Sequence, residues 1–293
     1  MRTQGLSNQT VPKPDQFLPG HPIRQHHGRQ GPPALPARPG RRTRLFVTCR
    51  HAPPKKKATR RPLLLYTRRD SVGAAGELFL DAGGLAGAIT EIVKLSATDI
   101  AVGAQDVSEF AKGAYTGEMA AGMLKDVGVE FVLVGHSERR SYHGENSAQI
   151  ARKAQAVIGA GLVPVVCIGE SLDERNAGQT KAVLTEQLDA LFAVVGTDNG
   201  NIVLAYEPRW AIGTGVSATT EQIADVHTFL RDYLTKRSAA VAGLPILYGG
   251  SMNGANAASI VALPNVDGGL IGSAALKPAE FAAIYKALVA SVA

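Results

Sequence analysis

Six short apolar runs recur between residues 100 and 272, each followed by an amphipathic stretch, and this alternation limits the folds open to the chain. The runs are Ile100-Ala-Val-Gly-Ala104, Phe131-Val-Leu-Val134, Leu162-Val-Pro-Val-Val-Cys-Ile168, Ile202-Val-Leu-Ala205, Pro245-Ile-Leu-Tyr248 and Gly268-Gly-Leu-Ile-Gly272. Helical patterns fall near 117–127, 146–160, 180–195, 219–238, 254–262 and 278–291. Strand–helix alternation of this kind builds a parallel sheet, and unbroken apolar strands fit a sheet covered on both faces. Polar or Gly-rich residues follow the strands instead of preceding them. That suits a barrel with its site at the strands' C-terminal ends, whereas an open doubly wound sheet gathers its site at one switch point.

An eight-stranded barrel needs two further strands. Upstream, Leu45-Phe-Val-Thr48, Leu63-Leu-Leu-Tyr66 and Glu77-Leu-Phe-Leu80 are apolar enough, and 85–95 could form a helix. The second and third candidates lie ten residues apart, and a parallel crossover with its helix needs a dozen or more. Between the first and third stand Pro53, Pro54, Lys55 to Lys57 and Pro62, where interior prolines would break a crossover helix. The expectation is therefore a (β/α)8 barrel over 76–293 whose first one or two βα units are atypical or missing.

Charge divides the chain at the same place. Residues 1–70 hold sixteen Lys and Arg against Asp15 and Asp70, a balance of +14, while the remainder carries −8. Eleven of the sixteen prolines lie in that first stretch, which has too few apolar residues to offset the entropy of ordering it. Residues 1–75 are expected to form a largely disordered basic extension. It would make weak, nonspecific, salt-sensitive contacts with nucleic acid, or be a plain solvated arm. No run of 18 apolar residues occurs, which argues against a membrane span, and no apolar segment follows the N-terminal charges as a secretory signal would. Two cysteines, Cys49 and Cys167, make no disulfide or metal framework, so a reducing cytoplasmic setting is expected. Cys167 reads as a small core residue.

Glu207 is the first candidate for chemistry. It ends an apolar run and opens Glu207-Pro-Arg-Trp-Ala-Ile-Gly-Thr-Gly215. Alone, a Glu before Pro at a strand end is more often a structural carboxylate. Here Gly213 and Gly215 can absorb the rotations of a closing loop and Pro208 stiffens its start, which reads as a base under a mobile lid. His136 ends another run, ahead of Ser137-Glu-Arg-Arg140. A helical turn starting there would aim its amides at the imidazole and keep it neutral, although a lone His at a strand end is also often structural.

These segments, with Tyr248-Gly-Gly-Ser-Met-Asn253 and Asp267-Gly-Gly-Leu-Ile-Gly-Ser273, closely resemble triosephosphate isomerase. The resemblance runs from about residue 95 to the C-terminus. It implies a TIM barrel that interconverts dihydroxyacetone phosphate and glyceraldehyde 3-phosphate, in glycolysis and gluconeogenesis, without metal or cofactor. By resemblance, Glu207 shuttles the proton, His136 polarises the carbonyl and Glu138 supports them. Gly213, Ser251, Gly272 and Ser273 would hold the phosphate through backbone amides. Gly113 to Glu118 resembles the family's dimer loop, in which Thr116 would reach a neighbouring subunit of a homodimer. Read on its own residues, the same segment is a turn before a helix with Thr116 as N-cap.

Three departures stand out. The family's Asn-x-Lys after its first strand occurs nowhere in the 293 residues. Losing that cation implies reduced activity, since such an electrostatic contribution is often several kcal/mol. Arg209 stands where the lid usually has an apolar residue, and Ser273 where the phosphate loop has a second glycine. The alternative to an enzyme is a non-catalytic barrel remnant that binds phosphate or a partner, with the basic tail on nucleic acid.

Overall fold

The computed structural model describes Leu63–Tyr66, residues 101–212 and residues 217–291. Its strands are β1 (Leu63–Tyr66), β2 (Gly103–Ala104), β3 (Phe131–Val134), β4 (Val163–Ile168), β5 (Val203–Tyr206), β6 (Ile246–Tyr248) and β7 (Gly268–Ile271). All are parallel, in the order β1-β7-β6-β5-β4-β3-β2. The curl of this sheet brings the first strand in sequence against the last, with Leu63 opposite Gly268 and Tyr66 opposite Ile271.

Of the upstream strand candidates, Leu63–Tyr66 is thus in the sheet as β1, ahead of residue 76. The other two, the helix expected at 85–95 and the rest of the basic extension lie outside the described residues.

Helices alternate with the strands: α1 (Ala121–Asp126), α2 (Ser137–Tyr142), α3 (Ser147–Gly159), α4 (Leu172–Asn176), α5 (Thr180–Val195), α6 (Thr220–Arg237), α7 (Ala257–Val261) and α8 (Pro278–Ala290). Their starts follow local chemistry. Asn146 caps α3 by accepting from the Gln149 amide, and full capping boxes open α4 (Ser171 with Glu174) and α6 (Thr219 with Gln222). Pro278 opens α8, where its missing N–H costs nothing. Thr116 caps no helix, because α1 begins at Ala121 after Ala120.

Two cores explain why the strands read as unbroken apolar runs. Phe131, Leu133, Val165, Cys167, Val203 and Ala205 point to one face and pack together with Leu247 and Leu270. Val132, Val134, Val166, Ile168, Leu204 and Tyr206 point to the other, against helix residues such as Leu184, Leu188 and Leu230. The alternation has the two-residue period of a strand with both faces dry. Leu184, Leu188 and Leu230 are fully buried, each contributing about 1.5–3 kcal/mol. None of the described helices is long and apolar enough to cross a membrane.

Candidate active site

The C-terminal strand ends carry the polar residues. After Val134 the chain must leave the sheet sharply, and Gly135 does so at φ +72. A side chain there would also meet Ile150, with the nearest atom 2.7 Å from a Cβ. The turn makes His136 the N-cap of α2, with Nδ1 accepting the Glu138 amide at 3.3 Å. An accepting Nδ1 leaves the proton of the neutral ring on Nε2, which faces the site.

Nε2 lies 3.1 Å from Oε1 of Glu207. The two are within ion-pair distance but out of hydrogen-bond alignment, so Oε1 keeps its accepting capacity uncommitted. The other oxygen, Oε2, accepts the Ser137 amide at 2.8 Å. Glu207 is 2 % exposed. Burial pushes its pKa above the usual carboxylate range, against the opposing pull of His136, the Ser137 amide, the Cys167 thiol and Arg140. Cys167, buried on β4, is itself raised by burial and by the Glu207 charge and stays a thiol. The expected core cysteine is therefore also a wall of the site. Nothing in its apolar surroundings in sequence marks that contact.

Two glycines make room for the carboxylate. A Cβ on Gly169 would overlap the carbonyl of Glu207, and one on Gly249 would come within 2.8 Å of its Cγ. Gly249 thus has a packing reason to be glycine alongside any contact with an anion.

Beyond Glu207 the backbone turns into a short 3-10 helix, Arg209–Ala211. Its Trp210 donates Nε1–H to Glu170 at 3.0 Å. Glu170, fully buried, also accepts from the Tyr206 hydroxyl at 3.1 Å and Arg175 at 3.1 Å, and the Arg175 guanidinium lies 4.6 Å over the Trp210 ring. Sequence reasoning missed this anchor, because its four members come from two separate segments, 170–175 and 206–210. Ser251 joins it by donating to the Ala211 carbonyl at 2.9 Å. The lid position Gly213 lies outside the described residues.

Gly272 and Ser273 follow β7, exposed, and Ser273 opens a second 3-10 helix, Ser273–Leu276. Glu138 sits in the first turn of α2, half-buried. Thr116 is apart from these groups, exposed in the loop between β2 and α1. Asp106, from which the sequence implied nothing, binds Lys153 at 2.7 Å and Arg139 at 3.0 Å, and both cations also bind the buried Glu145. This network secures α2 and α3 behind His136.

A curled parallel sheet with a buried carboxylate facing a helix-capping imidazole at its C-terminal rim places the chain among the TIM-barrel isomerases. The family model described as triosephosphate isomerase matches residues 85–288. The triosephosphate isomerase of Xanthomonas euvesicatoria pv. vesicatoria is 55% identical over 201 residues, covering 68% of this chain and 80% of that protein. That of Delftia acidovorans is 52% identical over 194 residues, covering 66% and 78%. A crystal structure of triosephosphate isomerase from Bartonella henselae superposes with a TM-score of 0.69 at 32% identity, covering 77% of this chain and 98% of that one. The chain belongs to the triosephosphate isomerase family. Its match begins some ten residues before the point from which the resemblance is visible by motif.

Proposed function

We propose that the chain interconverts dihydroxyacetone phosphate and D-glyceraldehyde 3-phosphate, with Glu207 as the base. The ionised carboxylate takes a proton from the carbon beside the carbonyl. The C–H electron pair then forms an enediolate, the carboxyl returns the proton to the neighbouring carbon, and the hydroxyl proton passes from the first carbon's oxygen to the former carbonyl oxygen, so that hydroxyl and carbonyl exchange places. His136 Nε2–H donates to the oxygen on which negative charge develops and needs no net charge to do so. Glu138 supports the pair from the first turn of α2. Phosphate is held by amides at Gly213, Gly272 and Ser273, with Ser251 beside them. A homodimer formed through the Thr116 loop completes the site, in the cytoplasm, where the buried Cys167 thiol stays reduced. The basic tail makes at most weak contacts with nucleic acid.

The observation that carries this reading is the pairing itself. A fully desolvated carboxylate with one anchored and one uncommitted oxygen, 3.1 Å from an imidazole with a fixed tautomer, is poised for proton transfer. The missing Asn-x-Lys cation favours the second reading, a barrel that binds phosphate without turning it over, and implies a lower rate than in relatives that keep it. The test is the isomerisation rate of purified full-length chain on glyceraldehyde 3-phosphate beside Glu207→Gln. Removal of a general base costs about 10²–10⁴-fold, so activity should fall by that factor. Equal rates in the two proteins would overturn the assignment and leave phosphate binding without catalysis.

A further inference from the structure

The β3–β4 ladder pairs Phe131 with Val163 through to Val134 with Val166 and stops there. The next rung would set Gly135 beside Cys167, but Gly135 has turned away at φ +72. The Cys167 carbonyl thereby loses the residue-136 amide that a continuing ladder would bring to it, and the turn leaves the Gly135 carbonyl outside the ladder, at the level where His136 and Glu207 meet. One side chain takes up both. Arg140, a turn along α2 from His136, donates Nε–H to the Gly135 carbonyl at 3.1 Å and Nη2–H to the Cys167 carbonyl at 3.2 Å. Its remaining nitrogen, Nη1, reaches Ser147 Oγ at the start of α3 at 3.3 Å. All three guanidinium nitrogens are used, on three different elements.

We propose that Arg140 is a positioning residue for the Glu207–His136 pair: it stands in for the missing rung between β3 and β4 and fixes the separation across which the two side chains face each other. Gly135 immediately precedes His136, and Cys167 presents its thiol to Glu207, so each carbonyl that Arg140 holds belongs to the backbone of one wall of the site. A planar fork with five donors can span two diverging carbonyls and a hydroxyl, which the compact ammonium of lysine cannot.

The guanidinium also acts on the Glu207 charge through space. The groups that face Glu207 are His136 and the Ser137 amide from the β3–α2 turn, Cys167 from β4 and Arg140 from α2. Glu145 and Arg209 bear on Arg140 in turn. Arg140 therefore has two separable effects, a geometric one that needs the fork and an electrostatic one that needs only the charge.

The inference rests on the isomerase reading for what the pair does, but its test need not. In full-length chain carrying ¹³C at the glutamate carboxyl carbon, the Glu207 resonance is assigned by its loss in Glu207→Gln. Its titration is then compared in the parent, Arg140→Gln and Arg140→Lys, with melting temperature as the folding control. Arg140→Gln should raise the Glu207 midpoint, because the cation that favours the charged carboxylate is gone. Arg140→Lys should leave the midpoint near the parent's. Both should lower kcat about tenfold or more with little change in KM, as expected when reacting groups are displaced by a fraction of an ångström. An unmoved midpoint in a folded Arg140→Gln protein, or parental kcat in Arg140→Lys, would overturn the proposal. If Arg140→Gln does not fold, the kcat of Arg140→Lys decides it. If the parent shows no Glu207-dependent turnover, the isomerase reading fails while the titration still decides whether Arg140 acts on Glu207.

Discussion

Glu207 and His227 are both buried ionisable groups, and burial serves them differently. In Glu207 it raises the basicity of a group whose charge four neighbours still support. In His227 it acts with little opposition. That side chain is fully buried on α6, its Nδ1 held 2.9 Å from the Asn265 carbonyl and its Nε2 without a hydrogen-bond partner, and its pKa is driven down to about 4. The unfolded chain takes up this proton near pH 6.5 and the folded chain only near 4, so stability present above 6.5 is lost as pH falls through that window. The loss should approach about 3 kcal/mol at most. Urea denaturation at pH 7 and pH 4.5 should show it, and His227→Gln should flatten the difference; an unchanged acid dependence in that variant would remove His227 as its source. Glu207 was legible in the sequence because Pro, Trp and glycines surround it in one segment. His227, Glu170 and the contact of the core residue Cys167 with Glu207 were not, since burial and partners about 40 residues away leave no mark on neighbouring positions.

Elements were legible in proportion to their length and the dryness of their surroundings. β3, β4, α3, α5, α6 and α8 fall where the apolar runs and periods place them. β2 is shorter than its run, with only Gly103 and Ala104 paired. α4 escaped notice because five residues are too few to show a period; it depends on its capping box. The approach of β4 to β5 beyond their last paired residues depends on Gly169, whose missing side chain lets Glu207 lie against it. Gly169→Ala forces backbone apart, because the obstacle is a carbonyl and no rotamer relieves it. That should cost about 1–3 kcal/mol of stability by urea denaturation. It should also move Glu207 enough to cut kcat by more than tenfold. A variant with parental stability and turnover would mean the two strand ends separate freely.

At the scale of the whole molecule, the composition break near residue 70 marked where ordinary barrel sequence gives way, yet β1 lies upstream of it. Four apolar residues between Pro62 and two arginines look the same whether or not a distant strand accepts them. The loop between β2 and α1 offers another whole-molecule feature. Phe110 and Tyr115 stack there at 4.1 Å, each 42% exposed, near Thr116. If the chain dimerises through this loop, sedimentation velocity on the full chain should give a dimer and Phe110→Asp a monomer. A chain that sediments as a monomer at all concentrations would sink the dimer. The pairing of β1 with β7 also has a cost in time. These strands are about 200 residues apart in the chain, and at ribosomal rates of about 5–20 residues per second β1 waits roughly ten to forty seconds for its partner. Throughout that interval the nascent chain carries an unmatched strand edge, the kind of surface that chaperones bind and that neighbouring chains on a polysome can capture.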